Sequence, residues 1–189
     1  MARIGLKGLT CATVSGGGAG SAVTYTGGQT VADLMISADV SLNTEDAKLS
    51  ADNHVVERAN GITGGTISLE LASLPNTLKT KLLGYTVSSK VLTVTGEAAP
   101  YVGFGYITCE ITAGVKSYVG YWFPKVQFSM TDDSASTKGE STEFKTNTIT
   151  GEIMSVVVTS SGPNEYYYTD TDSTEAAVRT WLNGKAGIS

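Results

Sequence analysis

The chain has 189 residues, of which 41% are apolar and only 16% charged; it carries a net charge of −5, and its pI is near 4.8. Its 22 Gly, 26 Thr and 19 Ser, with 9 Tyr, 4 Phe and 2 Trp, favour strands and turns within one domain. The acidic balance argues against a protein that grips nucleic-acid phosphates, no apolar run is long enough for a spanning helix, and two cysteines and one histidine are too few for a disulfide framework or a multi-histidine metal site.

Residues 1–30 read as a Gly-rich, irregular N-terminal arm, with Gly16-Gly17-Gly18 and Gly27-Gly28. The charged start has no sustained apolar run behind it and is not read as a secretory signal. No Lys follows these glycines in the spacing of a phosphate-binding loop. The first clear strand is 34–43, where Ile36, Ala38, Val40 and Leu42 alternate with Ser37, Asp39, Ser41 and Asn43. A second strand, 66–72, alternates Ile67, Leu69 and Leu71 with Thr66, Ser68 and Glu70. Between them, Thr44 to Gly65 reads as a long loop carrying Glu45, Asp46, Lys48, Asp52, His54, Glu57 and Arg58. A loop of that length in a small domain is usually functional.

A short helix is predicted at about 74–83, with Pro75 at its start, Leu74, Leu78 and Leu82 on one face, and Gly84 as its stop. An aromatic-rich hairpin follows, Tyr101–Ile111 and Tyr118–Met130, in which Pro124 marks an edge or a bulge. Residues 142–159 read as a last strand pair broken near Gly151. The extension 160–189 carries a helix at about 173–182, opened by a capping box from Asp172 to Glu175, with Ala177, Val178, Trp181 and Leu182 as its apolar stripe and Asn183-Gly184 as its stop. The domain between arm and extension is 31–159.

Catalytic constellations are missing. His54 has Asp52 nearby but no serine elbow, the carboxylate pairs Asp132-Asp133 and Glu140-Glu143 sit in turn-like polar sequence, and no metal or cofactor motif is complete. The expectation is a non-enzymatic, mainly β protein without cofactor. A β domain with projecting segments is suited to assembling with its own copies. A carbohydrate-binding sandwich, with Tyr101, Tyr121 and Trp122 as a platform, is the alternative.

Several segments, taken in order, resemble the major tail tube proteins of long-tailed, non-contractile bacteriophages. They are Ala2–Leu9, the 36–43 strand leading to Leu49-x-Ala51-Asp52-Asn53, Leu82-Leu83-Gly84-Tyr85, Ala99-Pro100-Tyr101-Val102, and Thr137–Ser141 with Phe144, Thr146, Thr148-Ile149 and Gly151. The resemblance covers roughly residues 2–155. It implies a β-sandwich tube fold and hexameric rings that stack into a virion tail tube, assembled in the host cytoplasm. It also implies contacts with tail terminator, tape measure and distal tail proteins, DNA passing through the lumen without specific binding, and no membrane partner. On this basis Ser37, Asp39, Ser41, Ser68 and Glu70 are the expected lumen-facing residues, and the charged residues of 44–65 the expected ring-to-ring contacts.

Overall fold

The computed structural model describes residues 2–31, 34–51, 54–130 and 146–188. The fold is mainly β. Its strands are β1 (Ala2–Gly16), β2 (Thr24–Val31), β3 (Met35–Ala51), β4 (His54–Leu71), β5 (Thr86–Ser88), β6 (Val91–Thr93), β7 (Tyr101–Thr112), β8 (Val115–Ser129), β9 (Asn147–Ile153) and β10 (Tyr168–Asp172). Two helices accompany them, α1 (Asn76–Leu83) and α2 (Glu175–Ala186). The large antiparallel sheet runs β2-β1-β7-β8-β9-β4-β3, with β10 also paired to β8; β5 and β6 form a separate small hairpin. The sheet curls until β3 packs against β1. Its two halves thereby enclose a core of Leu9, Ile67, Leu69, Leu71, Phe104, Phe123, Val126, Phe128 and Ile149, which α1 closes with Leu78 and Leu82.

Several segments differ from expectation. Most of 1–30 is not irregular: β1 pairs with both β2 and β7, and the Gly-rich stretch 17–23 between β1 and β2 is the irregular part. Gly5 and Gly8, at φ 76° and 65°, sit at shifts in the β1–β7 register that break the period of two. Nor are the described residues of 44–65 a loop. Both flanking strands continue through them, paired from Thr44↔Ile62 out to Ala51↔His54, as a blade of about 30 Å at 3.3 Å per residue. Gly151 does not break its strand either. It lies within β9, where a Cβ would come within 2.6 Å of Val126 and 2.7 Å of Phe128.

Pro124 does mark a bulge. Val102 pairs with Val126 but Phe104 with Phe123, so β8 holds one extra residue there. It is also the changeover point of the strand's other edge, since β10 pairs with 118–122 and β9 with 126–129. A residue without an N–H suits a position where one ladder ends and another begins.

The C-terminal helix docks on its own domain. Val178, Leu182 and Ala186 bury against Ala12, Ile107 and Trp122 in a second core on the outer face of β1, β7 and β8. Glycines let it approach: a Cβ on Gly120 would lie 2.6 Å from Val178, and one on Gly105 would lie 2.8 Å from Leu182. The helix starts and ends later than its sequence signals. Thr174 is the N-cap, accepting from the Ala177 N–H at 3.4 Å, while the Asp172 carboxylate accepts from the Thr174 N–H at 2.9 Å. Glu175 does not reach back to close a capping box; it bonds Arg179 at 2.7 Å and Lys7 of β1 at 3.0 Å. The helix runs through Gly184 because Ala186 is buried, and Gly187 at φ 67° ends it.

Gly120→Ala should therefore destabilise the domain by about 1–3 kcal/mol through overpacking, and Leu182→Ala by about 2–5 kcal/mol through the cavity it leaves. Urea unfolding followed by tryptophan fluorescence checks both, since Trp122 and Trp181 lie at this contact.

Candidate functional site

The bulge at Pro124 has a consequence for the faces of β8. Before it, Tyr118, Gly120 and Trp122 point toward α2, while Tyr121 and Phe123 point into the main core. After it, Val126 and Phe128 point into that core. Lys125, Gln127 and Ser129 therefore take the outer side, by strand alternation. The outer face of the sheet changes there from an apolar seat for a helix to a polar surface.

That surface continues across β9, β4 and β3 in register. One rung is Ser37, Glu70 and Thr148; the next is Asp39, Ser68, Thr150 and Ser129; the third is Ser41, Thr66, Glu152 and Gln127. Each strand holds these side chains out because its alternate residues, such as Leu69, Ile67, Ile149 and Ile153, are buried beneath. The register places Ser37, Asp39, Ser41, Ser68 and Glu70, the residues expected to face the lumen, together on this polar face. Thr148, Thr150 and Glu152 join them. Their signal was available in the sequence, where they alternate with Ile149, Gly151 and Ile153.

The charge on this face is acidic. Asp39 and Glu152 are exposed, and Glu70 is half-buried, accepting from the Thr146 hydroxyl at 2.7 Å and the Ser37 hydroxyl at 3.5 Å. Lys125 lies at one margin, its ammonium 4.2 Å from the Tyr101 ring centroid. Short hydroxyl side chains and Gln127 fill the remaining positions, so the face is polar and wettable.

The second group of candidates lies on the blade. Asp46 accepts from Arg58 through both carboxylate oxygens, at 2.7 and 2.8 Å, and Lys48 stands 3.5 Å away. Glu45 is exposed beside them. His54 and Glu57 are placed by their backbone pairing in β4, and Asp52 lies outside the described residues. The two groups are separate: one on the sheet face, the other along the projecting hairpin.

Groups with chemical potential are otherwise placed structurally. Burial pushes the Cys11 thiol up to about 11, so at neutral pH it is an inert core residue. Trp122 is fully buried and Tyr121 stacks on Tyr106, so with Tyr101 they form no exposed platform for a sugar. The pairs Asp132-Asp133 and Glu140-Glu143 lie outside the described residues. Among the described residues, no helix is long and apolar enough to cross a membrane.

The family model described as phage tail tube protein matches residues 25–178, from β2 into α2, and so includes the polar face and the blade. No curated protein matches the chain.

The exposed Asp39 and the half-buried Glu70 should respond differently to charge reversal. Asp39→Lys should change stability by less than about 0.5 kcal/mol, as an exposed substitution. Glu70→Lys should cost about 1–2 kcal/mol, because two hydroxyls lose their acceptor. Chemical denaturation of the two variants measures the difference.

Proposed function

The chain belongs to the phage tail tube protein family, and on that premise we propose that its copies form hexameric rings that stack into the tube through which DNA passes on ejection. The family is structural rather than enzymatic, and the protein is a component of the virion. The observation that carries the finer reading is the acidic, hydroxyl-rich face on β3, β4, β9 and β8. We assign this face to the lumen.

The physical argument concerns passage. A lumen that gripped phosphates would hold the genome, since each Lys or Arg contact adds salt-dependent affinity. Carboxylates repeated around a ring do the opposite, keeping the polyanion near the axis while hydroxyls hold a film of water. Among the described residues, strand β3 ends the sheet order, so it presents an unpaired edge beside this face. In the proposed ring that edge pairs with a neighbouring copy, so the lining sheet closes and no open edge remains.

The blade supports the other half of the reading. Its exposed residues 43–48 and 60–63 project beyond the core with charges of both signs, which suits contact with the next ring. Assembly in the host cytoplasm, and ends that meet tail terminator, tape measure and distal tail proteins, complete the proposal.

Two outcomes test it. Replacing 45–60 by Asn-Gly should leave a folded domain that no longer makes tubes in negative-stain images; normal tubes would remove the blade from the mechanism. Virions carrying Asp39→Lys with Glu70→Lys should assemble but eject DNA poorly, and normal ejection would contradict the lumen assignment.

A further inference from the structure

The β3–β4 hairpin is divided by an irregularity. Asn43 pairs with Gly64, but the next residue, Thr44, pairs with Ile62, so Thr63 is the extra residue. Below this bulge the hairpin is welded to the body through β9 and the main core. Above it lies the blade; Gly61 stands just above the bulge, and Gly64 and Gly65 just below it. A bulge beside three glycines gives the root little stiffness of its own.

One side chain from a distant part of the sequence reaches this point. The Tyr166 hydroxyl donates to the Ile62 carbonyl at 2.6 Å, at the first pair above the bulge. Its donor is held firmly. The ring packs against the main core. The preceding residue, Glu165, exchanges two 2.9 Å backbone bonds with Val156, and Val157 is tied to Gly18 and Gly20 at 2.9 and 2.8 Å. Two residues later the chain enters β10, paired to β8. Tyr166 is thus a fixed post between two anchored stretches, with its hydroxyl on the first pair above the bulge, where the Thr63 hydroxyl also donates to the Asn43 carbonyl at 3.4 Å.

We propose that Tyr166 is a positioning residue that sets the direction of the blade relative to the body, so that the blade meets its neighbour without a search over orientations. The proposal rests on the blade's role in ring-to-ring contact. It gives the segment between β9 and β10 a task that neither the core nor the polar face requires. Pre-orienting the blade raises assembly affinity by reducing the freedom lost on contact.

The test uses the full-length chain with Cys109→Ser, spin-labelled at Ala47→Cys on the blade and Thr171→Cys on β10, below its assembly concentration. Without Tyr166→Phe the distance distribution should be narrow; with it the distribution should broaden while the melting temperature of the body stays put. The unlabelled Tyr166→Phe protein should need about five-fold more protein to assemble, the equilibrium factor of one ordinary hydrogen bond. An unchanged distance distribution overturns the proposal, whatever assembly does. A broadened distribution with unchanged assembly leaves Tyr166 aiming the blade, and contradicts instead the blade's role between rings.

Discussion

The architecture depends on one extra residue in β8. Side chains along a strand alternate strictly, so an insertion of one moves every later residue to the opposite face. At Pro124 this inversion coincides with the exchange of β10 for β9 as the neighbouring strand. Without it, a strand with Trp122 outward would carry Val126 and Phe128 outward too, and the main core would lose both. With it, one long strand serves the core along its whole length while its outer side changes chemistry midway. The bulge is also bonded in place: the Pro124 carbonyl accepts from the Tyr25 hydroxyl at 3.0 Å and the Lys125 carbonyl from the Met154 N–H at 3.0 Å.

The two regions of outer face then follow different rules. Where Gly103, Gly105 and Gly120 remove side chains, the sheet is flat enough for α2, and Trp122, Val178 and Leu182 fill the space. Where Ser, Thr and carboxylates alternate with buried Ile and Leu, nothing apolar is offered and the face stays solvated. The C-terminal helix therefore covers the side that a helix can cover and leaves the acidic side free. The clamp of Arg179 and Lys7 on Glu175 holds that carboxyl below its ordinary range, and its Lys7 arm fixes the start of the helix to β1.

Legibility in the sequence followed the strength of the two-residue period. Strands 34–43 and 66–72 were legible because one face is buried and the other wet, and the shared polar face of their five residues follows from the same fact. The blade was not legible, because its charged residues Glu45, Asp46, Lys48, Glu57 and Arg58 read as a solvated loop and its described side chains at 44–48, 58 and 60–62 are all exposed; only backbone pairing makes it a strand. The N-terminal strand was hidden by Gly5 and Gly8, whose positive φ shifts the register and scrambles the alternation of Leu6, Leu9 and Cys11. Pro124 was readable as a bulge, but not its effect on the faces, which needs the identities of three partner strands. The link from Tyr166 to Ile62 joins residues 104 apart and leaves no local signature.

The account stands on the outer face of β3, β4, β9 and β8 being turned to the tube axis. An electron cryomicroscopy map of assembled tubes, at a resolution that separates strands, tests this most directly. The account predicts Asp39, Ser68, Thr150 and Glu152 on the inner wall, with α2 at larger radius. A map with α2 lining the channel, or with Ser68 and Thr150 on the outer surface, would contradict it.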